Sequence, residues 1–242
     1  MFVSRILIIG SGPNAIEARE FDRARFDRVI AINNAWRIRP DWDEMICPDD
    51  FPKERRPDQI GASQRIVTSD DYVPAQNSLG GFVYAGGTMA FTAAYWALAH
   101  HRPASIAMIG CDMVYPNTGN THFYGTGTAD PLRDDPTLQS LEAKANRLMV
   151  LARERGCNML NLSTDESRLT FPRATAQTAN PLPPFDPSAV EAAKAREAEL
   201  GYLSASGMYW KEPDLYDPSE LAALDQLWLA AVPNAGGLSR PA

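Results

Sequence analysis

The sequence predicts an α/β protein with a mainly parallel β-sheet, helices on both faces and a helical C-terminal arm. Three observations support this fold class. Short apolar runs alternate with longer amphipathic segments, which is the pattern of repeated βαβ units. The first apolar run ends in a glycine-rich turn, Gly10–Ala15, that leads into a helical segment. The 242 residues are enough for one large core and an appendage.

The predicted strands are short apolar runs bounded by polar or turn-forming residues. In chain order they are Arg5–Ile9, Arg28–Ile32, Asp43–Cys47, Arg65–Thr68, Phe82–Tyr84, Ser105–Ile109 and Asn158–Leu162.

The strongest helix predictions are Asn14–Ala24, Thr88–His101 and Leu138–Arg155. In the third helix the apolar residues recur with a helical period, and Gly156 follows as a C-cap. Two polar stretches, 48–61 and 116–135, are predicted to be loops, and the second has the length of a binding or lid segment.

The composition changes near residue 172, where a proline-rich stretch begins. We therefore predict an α/β domain over residues 1–171, then a linker and helical arm over residues 172–242. Two helices are expected in the arm, from about Ser188 to Leu200 and from about Ser219 to Ala230. Ser188 and Glu191 have the spacing of a capping box. Aromatic residues in the arm are expected to pack on the main domain or on a second subunit of a homo-oligomer.

Charge and cysteine content narrow the function class. The formal net charge is −7, from 23 basic and 30 acidic residues, which argues against nucleic-acid binding and favours small-molecule ligands. Cys47, Cys111 and Cys157 are far apart, as expected for reduced thiols in the cytoplasm. The apolar run after Met1 is too short for a signal peptide or membrane span, so no stable membrane insertion is expected.

The turn Gly10-Ser11-Gly12-Pro13-Asn14-Ala15 has the spacing G-x-G-x-x-A. Glycines let the backbone approach a phosphate, and the helix N-terminus offers N–H groups and a favourable dipole. Pro13 suits the first helical turn, where its missing N–H costs nothing. Residues 1–171 are therefore predicted to bind a nucleotide; a plain strand-to-helix turn is the alternative.

The end of the second predicted strand argues against a dinucleotide. A flavin or nicotinamide site would place Asp or Glu there, but this chain has Asn33 and Asn34. An amide both donates and accepts hydrogen bonds, so it suits a base edge or a ribose hydroxyl. A flavoprotein is retained only as an alternative.

Two further turns are predicted to meet the same ligand. Gly86 and Gly87 precede Thr88 at a predicted helix start, and Gly110 and Asp112 follow another predicted strand. Ligands of open α/β sheets bind at the carboxyl ends of the strands. An Asp at this spacing can equally cap a turn.

Together these motifs resemble the bacterial family 42 sialyltransferases and the related 6-hydroxymethylpterin diphosphokinase-like or motility accessory proteins. The shared order is G-x-G-P-[SN] after the first strand, Asn after the second, a [SG]-G turn opening an Ala-rich helix, and G-x-D. It continues with H-[YF]-x-G, a helix containing LEAKANRLMVLA and a last strand followed by Asn/Ser-rich residues. The resemblance covers roughly Arg5 to Leu169.

The resemblance implies a Rossmann-like, glycosyltransferase-A-like sheet that binds a cytidine monophosphate (CMP) sugar. It places the turn from Gly10 through Ser11, Gly12 and Pro13 to Asn14 along the phosphate and sugar, and Asn33 against the nucleotide. Gly86, Gly87 and Thr88 would pack on cytidine or phosphate, and Gly110 to Asp112 on ribose or base. Transfer would be inverting and metal-independent, with a base that takes the acceptor proton and tyrosine hydroxyls that stabilise the leaving phosphate.

The sequence departs from the family pattern at three positions. Val114 stands where the family has tyrosine, and Tyr115 follows it. Thr126 replaces the histidine taken to be the base, and Cys47-Pro48 replaces Asn-Pro. The candidate catalytic residues are therefore His122, Tyr115, Tyr124 and Asp112, with His122 either replacing the missing base or making a structural hydrogen bond. Arg168 and Arg173 would meet phosphate, or pair with Asp165 or Glu166.

The leading hypothesis is a cytoplasmic, glycosyltransferase-like protein that binds a nucleotide or a cytidylyl-type nucleotide-sugar and, if it is active, transfers the sugar with inversion to a glycan or small-molecule acceptor. A second is magnesium-dependent pyrophosphoryl transfer from ATP to a small alcohol, for which Asp49, Asp50 and Asp112 are the available metal ligands. A third is a non-catalytic nucleotide-binding protein.

Overall fold

Six short strands form one parallel sheet in the computed structural model, which describes residues 4–115, 119–126, 135–175 and 183–233. The strands are β1 (Arg5–Ile9), β2 (Arg28–Ile32), β3 (Glu44–Ile46), β4 (Arg65–Val67), β5 (Ser105–Ile109) and β6 (Asn158–Asn161). The α-helices are α1 (Ser69–Asn77), α2 (Phe82–Ala85), α3 (Met89–Trp96), α4 (Leu141–Glu154), α5 (Pro187–Leu200) and α6 (Pro218–Ala230). A π-helical turn, Ala97–His101, continues α3.

The strand order is β4-β3-β2-β1-β5-β6, with every pair parallel. The order reverses between β1 and β5, which creates a crevice at the carboxyl ends of these two strands. The predicted α/β class, the Rossmann-like sheet and the helical C-terminal region are confirmed. The described helices include none with both the length and the apolar character needed to cross a membrane.

The two faces of the sheet carry different layers. Successive side chains of a strand point to opposite faces, so Ile6 and Ile8 join one core while Leu7 and Ile9 join the other. The first core is covered by all six α-helices. The second is covered by 3-10 helices at Pro13–Glu20, Arg23–Arg25 and Asn33–Arg37 and by the loops beside them.

The predicted strand Phe82–Tyr84 is wrong, because these residues form the short helix α2. All of its residues are buried, and Gly81 and Gly86 flank it with φ values of 82° and 86°. A short, fully apolar run has no periodicity that separates a buried strand from a buried helix.

The other differences concern helix type and boundaries. The predicted helix Asn14–Ala24 is the 3-10 helix Pro13–Glu20, and α1 was not predicted. A capping box between Thr68 and Asp71 starts α1. The N-cap of α5 is Asp186, two residues before the predicted Ser188 cap, and its carboxylate accepts hydrogen bonds from Ser188 N and Ala189 N. Most of the predicted loop 116–135 lies outside the described residues.

The C-terminal arm packs on the α/β layers. Helix α6 lies against α4 and α5, and buried residues of both arm helices belong to the core that also holds Ile6 and Ile8. Two buried ion pairs join the layers. Lys144 Nζ lies 2.7 Å from Asp225 Oδ1, with both side chains 1% exposed, and Arg147 Nε lies 2.6 Å from Glu197 Oε1.

Candidate functional site

A cavity of about 1160 Å³ opens at the carboxyl edge of the sheet, around the crevice between β1 and β5. Its walls come from the turns after β1, β2, β3 and β5, from the start of α1 and α3, and from residues 206–211 of the arm. The cavity exceeds the range of about 300–1,000 Å³ that is typical of small-molecule sites. It therefore has room for a nucleotide and a second molecule.

The structure brings together all but one of the residues predicted to form the site. The predicted residues that line the cavity are Gly10, Ser11, Gly12, Pro13, Asn14, Asn33, Gly87, Thr88, Gly110, Asp112, Tyr115, His122 and Tyr124. Gly86 does not line it. A Cβ atom at Gly86 would lie 3.1 Å from Lys144 Cγ, so this glycine allows the turn to pack on α4.

The glycines after β1 are required by a backbone contact. Gly10 N–H donates to Ile109 O and Gly12 N–H donates to Gly110 O, each at 2.8 Å. A Cβ atom at Gly10 would lie 2.2 Å from Gly110 O. The two N–H groups are therefore already bonded, and the glycine spacing is explained by the close approach of the β1 and β5 turns.

Asn14 is the centre of a polar cluster on the cavity floor. Its Nδ2 lies 2.7 Å from Asp112 Oδ2, 2.7 Å from Ser163 Oγ and 2.9 Å from Asp165 Oδ2. Ser163 Oγ–H also donates to Asp112 Oδ2, at 2.8 Å. Because the two carboxylates only accept, the amide nitrogen of Asn14 faces them and its oxygen points elsewhere.

Several buried side-chain oxygens of the lining have no hydrogen-bond partner among the described residues. They are Asn14 Oδ1, Asn33 Oδ1, Asn34 Oδ1 and Asp112 Oδ1. Buried polar groups without partners are costly, and they are rare in folded proteins. All four atoms are acceptors, so a ligand that satisfies them must supply hydrogen-bond donors. Asn33 has a φ of 52°, a left-handed conformation that asparagine adopts more readily than most residues.

His122 lies in a tight turn at one side of the cavity. His122 N–H donates to Gly125 O, and Phe123 N–H donates to Ser11 O, both at 3.0 Å, so this turn is tied to the glycine turn. The imidazole stacks on Tyr124, with ring centroids 4.9 Å apart, and its Nδ1 lies 2.8 Å from Thr121 Oγ1. Burial lowers the pKa of His122 below its ordinary value, which favours a neutral ring at physiological pH.

The positions that depart from the family pattern differ in whether they line the cavity. Thr126 is exposed, donates its hydroxyl to Gly119 O at 3.1 Å and does not line the cavity. Val114 and Tyr115 both line it, after Met113 turns the chain with a φ of 55°. Cys111 also lines the cavity, but burial raises the pKa of its thiol, so it remains protonated and is a poor nucleophile.

Acidic side chains dominate the lining. Its carboxylates are Asp49, Asp50, Asp70, Asp112, Asp165 and Glu166, and its cations are Arg55 and Lys211. The proposed magnesium ligands do not converge, and both Asp49 oxygens accept from Ser69 Oγ. Across the part of the chain that the structure describes, no three Asp, Glu, His or Cys side chains are grouped to hold a metal ion.

The arginines near β6 have structural partners. Arg168 pairs with Glu142, not with Asp165 or Glu166. The Arg173 guanidinium donates to the main-chain carbonyls of Ser163 and Asp165. Neither lines the cavity, so the expectation that they meet a phosphate there is not supported.

The arm contributes to the site in a way that the sequence does not predict. Residues 206–211 line the cavity, whereas the sequence predicts only a packing role for the aromatic residues of the arm. In sequence the two are simply adjacent aromatic residues; only the structure shows that Tyr209 is buried while Trp210 is exposed.

Comparisons with known proteins identify no relative. No family model, no curated protein and no solved structure matches this chain.

Proposed function

We propose that the cavity binds a CMP-sugar and that the protein transfers the sugar to an acceptor hydroxyl. The observation that carries this proposal is the set of unpartnered acceptor oxygens on Asn14, Asn33, Asn34 and Asp112. A nucleoside offers matching donors, because ribose carries hydroxyl groups and cytosine carries an exocyclic amino group. Uracil presents an oxygen at that position and would leave an acceptor facing an acceptor.

The charge of the lining favours a phosphate with one negative charge. The carboxylates that surround the cavity outnumber Arg55 and Lys211, and each of them repels a phosphate group. A CMP-sugar is a phosphodiester with a single charge on phosphorus, whereas nucleoside diphosphate sugars and ATP carry more. Among these donors, the CMP-linked one therefore places the fewest phosphate charges beside the carboxylates of the lining.

The position of His122 supports its role as the general base. A tautomer with its proton on Nδ1 donates to Thr121 Oγ1, which leaves the Nε2 lone pair for the acceptor hydroxyl. As that proton moves to Nε2, the acceptor oxygen bonds to the anomeric carbon and the bond from this carbon to the phosphate oxygen breaks. CMP leaves with the bonding electrons, and the hydroxyls of Tyr115 and Tyr124 are the lining groups that we assign to its phosphate.

Isothermal titration with CMP, UMP and ATP–magnesium tests the ligand assignment. We expect CMP to bind at least about tenfold more tightly than UMP, a difference of about 1.4 kcal/mol, because only cytosine supplies an amino donor. Asn33→Gly keeps the left-handed backbone and removes the acceptor, so CMP affinity should fall about tenfold. Arg102→Gly, at a second left-handed position (φ 48°) that does not line the cavity, is the control for the glycine substitution and should leave CMP affinity unchanged. Equal affinities for CMP and UMP, or an unaffected Asn33→Gly protein, would contradict the assignment. Magnesium-dependent ATP binding would favour pyrophosphoryl transfer.

His122→Asn is expected to slow CMP release from CMP-sialic acid at least about 100-fold while CMP affinity stays unchanged, because general-base catalysis contributes this much. Thr126→Ala is the control and should retain the full rate. A fully active His122→Asn protein would show that His122 is not the base.

In the unchanged protein the rate should fall only in acid, below about pH 6.5, because the folded pKa of His122 lies below that ordinary value. CMP binding without any turnover would favour a non-catalytic nucleotide-binding protein.

A further inference from the structure

A buried chain of hydrogen bonds links the C-terminal arm to the second glycine turn of the site. Tyr209, which is 2% exposed, donates its hydroxyl to Asp135 Oδ2 at 2.6 Å. Asp135 Oδ1 accepts from Thr137 N at 2.8 Å and from Thr137 Oγ1 at 2.7 Å. Thr137 Oγ1 in turn accepts from Gly87 N at 3.1 Å. The two ends of this chain, Tyr209 and Gly87, both line the cavity.

The direction of each bond is fixed by the chemistry of the groups. Asp135 and Thr137 are buried, and the carboxylate accepts every hydrogen bond given above. Thr137 donates its single hydroxyl proton to Asp135, so its oxygen can accept a hydrogen bond from Gly87 N–H. Loss of the Tyr209 hydroxyl would remove one donor from a buried carboxylate, and Asp135 and Thr137 would have to rearrange to recover it.

The same anchor fixes the outer rim of the cavity. Trp210 follows Tyr209 directly, and their rings meet edge to face with centroids 5.3 Å apart. Trp210 is 55% exposed, and Lys211 is exposed beside it, so little other packing holds the two side chains. Their placement at the cavity mouth depends on the buried neighbour.

We propose that Tyr209 is a positioning residue for ligand binding. Through Asp135 and Thr137 it holds the Gly86–Thr88 turn and arm residues 206–211 in one arrangement, so the C-terminal arm is a required part of the binding site. This inference rests on the proposed function for its ligand, although the coupling between arm and turn can be measured without one.

Tyr209→Phe tests the proposal against Tyr84→Phe. Tyr84 is also a buried tyrosine that bonds to the arm, through Glu197 O and Tyr202 N at 2.8 Å each, but it does not line the cavity. Both variants should remain folded at a temperature well below their unfolding midpoints. There we expect CMP affinity to fall fivefold or more in Tyr209→Phe and to stay within twofold of the unchanged protein in Tyr84→Phe. Thr137→Val, which removes the middle hydroxyl, should match Tyr209→Phe.

Amide hydrogen exchange at Gly87 supplies a readout that needs no ligand. The exchange rate of this amide should rise at least fivefold in Tyr209→Phe and stay unchanged in Tyr84→Phe. Unchanged exchange in Tyr209→Phe, or equal increases in both variants, would overturn the proposal. If the unchanged protein binds no CMP, the proposed function fails, while a selective rise in Gly87 exchange still supports the coupling. If CMP binds but Tyr209→Phe alters neither affinity nor exchange, the coupling fails and the proposed function stands.

Discussion

Arg147→Met is expected to destabilise the protein by about 3–5 kcal/mol, because it removes one partner of a buried ion pair and leaves the other behind. Arg147 is 2% exposed, and all three nitrogens of its guanidinium donate hydrogen bonds. It bonds to Glu197 at 2.6 and 2.8 Å, to the Tyr95 hydroxyl at 2.6 Å and to Leu79 O at 2.9 Å. Methionine keeps much of the apolar packing but satisfies none of these groups.

Thermal and urea denaturation measure this loss. For a chain of this length it should lower the thermal midpoint by roughly 10 °C. Lys194→Met is the matched control, because Lys194 pairs with Glu154 and so also joins α5 to α4, but at the surface. We expect that variant to lose less than about 1 kcal/mol. Comparable losses of unfolding free energy in the two variants would show that burial of the Arg147 pair does not increase its effect on stability.

Gly110→Ala is expected to cost about 3 kcal/mol or more and to abolish CMP binding. Gly110 has a φ of 69°, and an added Cβ would lie 2.5 Å from the Cβ of Ala15. The β1 and β5 turns would have to separate, which disrupts the floor of the cavity as well as the backbone bond from Gly12 to Gly110.

Gly156→Ala separates the two causes of that loss. Gly156 has a similar φ of 73°, but an added Cβ there would meet no atom within 4 Å. This variant should lose only about 1 kcal/mol, from the left-handed conformation alone, and should bind CMP normally. Urea denaturation and CMP titration of both proteins provide the comparison. Equal losses of stability would contradict the steric account of the glycine turn.

The strands were predictable because each is a short apolar run between polar residues, and that pattern depends only on local sequence. Phe82–Tyr84 fits the same description and is a helix, since its conformation is set by flanking glycines and by burial on every side. Helix α1 was missed because its apolar residues are few and Pro74 interrupts it. Burial decides the conformation of Phe82–Tyr84, whereas α1 starts at a local signal, the capping box of Thr68 and Asp71, that has no clear apolar period behind it.

The residues of the site also divide into those that local sequence predicts and those that depend on long-range contacts. Asn14, Asn33, Gly87 and Asp112 each follow a recognisable turn, so the topology of a parallel sheet was enough to expect them at one edge. The contribution of Tyr209 depends on a contact with Asp135 across 74 residues of sequence, which no local pattern reports. Buried oxygens without a hydrogen-bond partner, such as Asn34 Oδ1, could not be predicted from the sequence either, because the absence of a partner is visible only in three dimensions.

The contact between the β1 and β5 turns has a consequence for motif searches. Gly10, Gly12 and Ala15 all pack against Gly110, so residue size at these positions is limited by Gly110 whether or not a ligand is present. Relatives of this chain that had lost their ligand would keep the small residues, and a larger residue at one position would require a compensating change at another. The packing of the two turns is therefore enough to preserve the spacing G-x-G-x-x-A, even where no phosphate binds.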